Sequence, residues 1–149
     1  GAANHEIMEK IAPLFRAPLV YNGDVGRSSF DMLKKRFPHV SRWMIGRELL
    51  KDPFLPEDIK QFLTDNSKSL IDTPQMNDSR KLIINSFHDD LLEAFTKIIR
   101  REEALVGKMK SYWFYLESLF PERKKDISEM KMILKLDEYK EWVHRILKS

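Results

Sequence analysis

The sequence predicts a mainly α protein in two modules: a βαβ piece up to about residue 55 and an all-helical bundle over residues 56–149. Three observations carry this expectation. The short runs Leu19-Val20-Tyr21 and Arg42-Trp43-Met44-Ile45 each lead into a glycine turn, at Gly23 and Gly46, as buried strands do. A helical stretch lies between them, and strand, helix, strand with polar turns is the order of parallel β/α units. Beyond Pro53 and Pro56 no strand signal recurs, while apolar residues return at helical spacing to the end of the chain.

Asn4 suits an N-cap, and Ile7, Ile11 and Leu14 share one face of an amphipathic helix running to about Arg16, which Pro18 closes. Leu19–Tyr21 follows as the first strand, with Asn22-Gly23-Asp24 as its tight turn. Ser28 or Ser29 caps a second helix over Phe30–Phe37, ended by Pro38. Arg42–Ile45 is the second strand. Pro56, with Glu57 and Asp58 in the first turn, starts a helix through about Thr64, and the polar residues 65–79 form a connection. A long helix is then expected from Ser79 or Arg80 to Leu105, carrying Ile83, Phe87, Leu91, Phe95 and Ile98 at helical spacing, with Gly107 interrupting it. A helix through Met109, Trp113, Leu116 and Phe120 stops at Pro121, and another spans about 123–134. Asp137 caps the last, which carries Tyr139, Trp142, Val143 and Ile146. Two strands do not make a stable parallel sheet, because such sheets are covered on both faces. The first module therefore either borrows strands from another chain or ends a larger sheet or barrel.

The 149 residues include 26 Lys+Arg and 23 Asp+Glu, a net charge of +3, and no cysteine. That length suits one domain or two small ones with a real core. No stretch approaches the ~20 apolar residues that cross a bilayer, and GAANHEIMEK lacks the apolar core of a signal peptide, so a cytoplasmic protein without a membrane partner is expected. The missing cysteines exclude a disulfide, a Cys-type zinc site, an iron–sulfur cluster and a cysteine nucleophile within the chain. A charge of +3 is compatible with nucleic-acid binding but far too small to demonstrate it. His5, His39, His88 and His144 are scattered, and His88-Asp89-Asp90 point different ways around a helix, so no metal site is expected. The seven methionines read as core filler.

Two motifs carry chemistry. In Leu19–Val25 a glycine flanked by Asn22 and Asp24 lets backbone approach a ligand closely and offers amide N–H groups to an anion; the plain alternative is a turn. In Trp43–Leu49, Gly46 ends a strand and Arg47 opens the following helix, and helix amides, glycine backbone and a guanidinium together make a phosphate site. The motifs lie one β/α unit apart, which places both turns at the carboxyl ends of neighbouring parallel strands. (β/α)8 barrels put their active sites there, and the last loops often hold a phosphate. The inferred ligand is a phosphorylated small molecule or cofactor. In the second module Arg100, Arg101, Lys108, Lys110, Arg123, Lys124 and Lys125 flank the aromatic run Tyr112–Tyr115, a combination that suits RNA, or else a solvated face around core aromatics.

NGDV followed by MIGRELLKDPFL resembles the flavin-phosphate end of the tRNA-dihydrouridine synthases, and Lys108–Leu116 is similar to a basic-aromatic helix of their appended helical domain. The resemblance covers essentially the whole chain. It departs from the commoner family pattern at Asp52-Pro53, where Asn-Pro is frequent, and at Glu48, where a small residue is usual. It implies that residues 1–55 are a remnant of an FMN-binding (β/α)8 TIM barrel, its last two strands, and that residues 56–149 bind tRNA. It further implies that Asn22, Gly23, Asp24, Gly46 and Arg47 contact FMN, with Gly46 and Arg47 at its phosphate.

The implied activity is reduction of uridine to 5,6-dihydrouridine, with NAD(P)H as reductant. The family's cysteine, which protonates the uracil C5, and its lysine and histidine lie on earlier strands, so no catalytic residue is expected here and the chain reads as the C-terminal part of a larger enzyme, by itself inactive, with little affinity for FMN, and prone to self-association through exposed strands. A non-catalytic helical module binding RNA or protein is the alternative, and another FMN barrel enzyme with a small substrate a third.

Overall fold

The computed structural model describes residues 4–65, 69–71 and 76–148. It is mainly helical, with one small parallel sheet, and its contacts divide it into two compact units, Gly1–Thr73 and Pro74–Ser149. The sequence changes character near residue 55, but the first unit extends past that point because Leu55, Ile59 and Leu70 complete its core.

In the first unit α1 (His5–Ile11) begins at Asn4, whose side chain accepts the Ile7 N–H, and runs into a 3-10 turn over Ala12–Leu14. Its expected apolar face is not covered within the unit: Ile7, Ile11 and Leu14 are exposed, and Met8 makes the core contact instead. β1 (Val20–Asn22) pairs in parallel with β2 (Arg42–Met44), Tyr21 opposite Trp43. Successive side chains alternate across a strand. Tyr21 and Trp43 pack on the core, while Val20 and Met44 face outward and are about half exposed. The expected buried strands are therefore buried on one face only.

α2 (Phe30–Arg36) crosses between the strands and buries Phe30 and Leu33 against Tyr21, Val25, Phe37 and Val40. Ser29 stands at its N-cap, but the hydroxyl does not cap the helix; it serves the preceding loop, donating to the Asp24 carbonyl at 2.7 Å and accepting Gly26 N–H at 2.9 Å. α3 (Glu48–Lys51) is a single turn, and α4 (Leu55–Asp65) carries Leu55, Asp58 and Ile59 inward.

In the second unit the break in the long helix falls at residues 99–101 and not at Gly107. α5 (Asp78–Ile98) ends where Ile99 turns extended (φ −102°, ψ 111°), and α6 (Glu102–Leu116) starts after an extended Arg101. Glu102 and Glu103 then sit in the first turn, where the helix dipole favours carboxylates. Gly107 lies inside α6 with open space around it; a helical glycine costs about 1 kcal/mol against alanine, too little to break a helix that buries Leu105, Val106, Met109 and Trp113.

The covered face of α5 is also rotated from the expected stripe. Ile84 and His88 are buried, whereas Ile83, Phe87 and Ile98 are exposed. α7 (Lys124–Glu129) and a 3-10 turn over Met130–Met132 replace the single helix expected over 123–134. α8 (Leu136–Lys148) has Asp137 in its first turn, not as its cap, and buries Tyr139, Trp142, Val143, Ile146 and Leu147. Trp113 and Trp142 meet edge to face at 4.8 Å in the centre of this core, a favourable aromatic geometry.

Candidate functional site

Asn22 and Met44 are the last paired residues of the two strands, so both glycine turns leave the sheet at the same end. They line one open cleft of about 350 Å³, together with Val25 and Glu48. Asn22, Gly23, Asp24, Gly46 and Arg47 are thus brought together, as the spacing of the two motifs implied.

The two glycines are there for different reasons. A Cβ on Gly23 would stand 2.7–2.9 Å from the Tyr21 ring and hydroxyl, which an L side chain cannot do without displacing that ring. Tyr21 is fixed in turn by His5, whose Nε2 lies 2.8 Å from its hydroxyl, and by Phe37 and Trp43 at ring distances of 5.3 Å. Burial pushes the Tyr21 hydroxyl's pKa up; Asp24 adds to this and Arg36 opposes it. Gly23 is accordingly a packing glycine as well as a turn glycine. A Cβ on Gly46 would meet nothing within 4 Å, and Gly46 is exposed. Nothing in the described chain requires glycine there.

Arg47 is 86% exposed on its side chain and reaches Asp24 across the cleft, Nη2 to Oδ1 at 3.3 Å. Glu48 pairs with Lys51 at 2.6 Å. The expected helix N-terminus is weak, because α3 has four residues and so little dipole. Any hold on an anion therefore rests on the guanidinium and the backbone at Gly46.

A buried cluster that links the loop before α2 to the end of α3 and to α4 was not foreseen from sequence. The Arg27 guanidinium donates from Nε and Nη2 to Asp52 Oδ2 (3.0 and 2.6 Å), from Nη2 to Asp58 Oδ2, and from Nη1 to the Leu70 carbonyl (3.1 Å). Asp52 Oδ1 accepts the Phe54 N–H at 3.1 Å. Burial works against the charged guanidinium, but the hydrogen bonds from Asp58 and Asp52 and their charges outweigh it and hold its pKa above the ordinary value. No spacing rule links an arginine to carboxylates 25 and 31 residues away. The one visible sign was Asp52 where asparagine is frequent in the family resembled.

In the second unit the basic candidates divide. Arg100, Arg101, Lys108, Lys124 and Lys125 are exposed, with the Lys108 ammonium 5.5 Å over the Phe95 ring. Arg123 is half-buried and pairs with Asp126 at 3.3 Å. Lys110 is turned inward: its ammonium donates to the Lys131 and Ile133 carbonyls at 3.0 and 2.7 Å, so it closes a turn and is not presented to a ligand. Of the aromatic run, Trp113 is core, Tyr112 is half-buried against Phe87 and Phe95, and Phe114 and Tyr115 are exposed.

His88 belongs to a buried network. Trp113 Nε1 donates to the Tyr139 hydroxyl at 3.0 Å, and His88 Nε2 lies 2.9 Å from the same oxygen. The arrangement that satisfies every atom has Tyr139 donating to Nε2 and Nδ1–H donating to Asp89, 2.9 Å away. Among the described residues no group of three or more His, Asp or Glu stands where it could hold a metal, and no helix is long and apolar enough to cross a membrane.

Comparisons with known protein families, curated protein sequences and solved structures returned no match.

Proposed function

We propose that the chain is part of an FMN-dependent tRNA-dihydrouridine synthase: the sheet and its turns are the end of the flavin-binding barrel, and the helical unit contacts tRNA. The observation that carries the reading is Gly46. It is an exposed glycine with no packing partner, beside an exposed arginine, in a cleft shared by both motifs. Glycine is conformationally costly, and its use is close approach of a ligand to backbone.

The residues fit a phosphate. Open space at Gly46 admits it, and the Arg47 guanidinium can turn from Asp24 to pair with it. Arg47 and the Gly46 backbone would hold the phosphate of FMN, whose flavin would supply hydride-transfer chemistry, with NAD(P)H as reductant, for a uracil extruded from the tRNA. This chain's part is to hold the phosphate end and to place the nucleic acid through its exposed cations. The acid that protonates C5 is not a residue of this chain, which has no cysteine. The uncovered face of the sheet, with Val20 and Met44, would look into the barrel, and the outer edges of the two strands are where further strands would pair.

Titration with FMN, carried to the high concentrations that a partial site requires and followed through the amide resonances of the protein, tests this. Gly46 and Arg47 are expected to move, and the movement to disappear in Arg47→Ala. An unperturbed spectrum at both turns would overturn the reading. It would leave a helical module for RNA or protein, which the exposed Ile83, Phe87 and Ile98 of α5 would suit.

A further inference from the structure

We propose that Arg27 is a positioning residue for the cleft: its buried fork to Asp52 and Asp58 fixes the turn after β1 against the turn after β2. The ligand aspect of this proposal rests on the phosphate reading above.

The sheet alone gives the cleft little rigidity. Each strand has three residues, the pair has no third strand among the described residues, and both turns lie beyond the last paired position. A two-stranded sheet is marginal in water. A second connection is needed to set the distance between Asp24 and Arg47, and Arg27 supplies it. Arg27 lies three residues past Asp24, in the loop that leads from the first turn into α2. Asp52 is the residue at which α3, the single turn after Arg47, ends.

The geometry needs an arginine. A planar guanidinium presents several N–H groups in fixed directions, and here three nitrogens meet two carboxylates and a backbone carbonyl at once. A lysine ammonium at the same place cannot span Asp52, Asp58 and Leu70 together. The cluster is also dry: the Arg27 side chain is 9% exposed, that of Asp52 11% and that of Asp58 0%. Asp52 passes the restraint on, because its second oxygen holds the Phe54 N–H at the entry to α4. Arg27 itself is not among the residues lining the cleft, so its effect on a ligand there is exerted through the two turns.

The test uses the full chain with Arg27→Lys, and Asp52→Asn as the milder variant in case loss of the fork prevents folding. Amide spectra are recorded without ligand and then with FMN. The expected result is a chain that still unfolds cooperatively, with the resonances of Gly23–Val25 and Gly46–Glu48 displaced together before any ligand is added. The FMN affinity of the folded protein is expected to fall at least tenfold.

Turn resonances that stay in place in both variants would overturn the proposal. So would FMN affinity per folded molecule within twofold of the parent, which is the signature of a residue that only stabilises. If the parent chain shows no response to FMN, the phosphate reading fails separately, and the ligand-free resonances still decide whether Arg27 positions the turns.

Discussion

Tyr139→Phe isolates one oxygen atom at the centre of the second unit. The ring is fully buried, and its hydroxyl joins α5, α6 and α8 by taking the Trp113 N–H at 3.0 Å and meeting His88 Nε2 at 2.9 Å. Phenylalanine keeps the ring's packing against Trp142 but leaves an indole N–H and an imidazole nitrogen without partners in a site that water does not reach. Each of the two stranded groups costs about 1–3 kcal/mol, so the substitution is expected to cost about 2–6 kcal/mol. At about 4–8 °C per kcal/mol for a unit of this size, that lowers the melting temperature by about 8 °C at the least and by about 25 °C in the middle of the range. Trp113 and Trp142 report the unfolding by fluorescence, while Trp43 lies in the other unit. Tyr115→Phe, at an exposed ring on the same α6 helix as Trp113, serves as the control and should change little. A loss below about 0.5 kcal/mol in Tyr139→Phe would refute the claim that these three helices are tied through this oxygen.

Alkali provides a second measurement on the same group. Burial holds the Tyr139 hydroxyl's pKa well above the ordinary value, with the Trp113 N–H opposing the shift and Asp89 adding to it. The stability that depends on the neutral form is therefore complete below pH of about 10 and is lost as pH rises further, by up to about 1.4 kcal/mol per pH unit. Urea denaturation between pH 9 and 11 should show this slope in the parent and a shallower one in Tyr139→Phe. Gly23→Ala should destabilise the first unit by about 1–3 kcal/mol, because its methyl group displaces Tyr21. Gly46→Ala should leave thermal stability within about 0.5 kcal/mol while weakening any FMN-dependent shift. Lys110→Met should cost about 2 kcal/mol by freeing two carbonyls, without altering the salt dependence of tRNA binding in a filter assay; Lys108→Ala should do the reverse. Size-exclusion chromatography should show concentration-dependent self-association through the uncovered strands, and charged residues at Val20 and Met44 should suppress it.

The parts of the fold set by local chemistry were legible: the Asn4 cap, the two strands with their glycine turns, and the order of elements. Five of the cleft's seven lining residues were legible for the same reason, since two turns one β/α unit apart must meet at one end of a parallel pair. What escaped was set by contacts remote in sequence. α5 carries apolar residues around more than half its circumference, so periodicity marks a helix without saying which side is covered; the choice of Ile84 and His88 over Ile83 and Phe87 follows from α6 and α8. Lys110 reads as a surface cation in a basic-aromatic run and is buried because two carbonyls beyond α7 accept its protons. Gly107 looked like a helix end, but packing on either side outweighs its propensity, and the break went to Ile99.

The two arginines of the first unit show how a cleft divides its labour. Arg47 and Asp24 are 86% and 79% exposed, and an exposed pair of this kind is worth about 0–1 kcal/mol. On the proposed reading a phosphate would displace Asp24 from the guanidinium at small cost, because the exposed pair gives up little when it opens. Arg27, Asp52 and Asp58 are the opposite. Removing one partner strands a buried charge, a loss of about 3–5 kcal/mol, so that contact stays closed. A binding residue needs freedom at its tip and a frame that does not yield, because affinity is lost when the supporting groups are loose. The first unit places both within the span from the first glycine turn to the start of α4: an exposed guanidinium on the rim of the cleft, and a buried one bonded to two carboxylates.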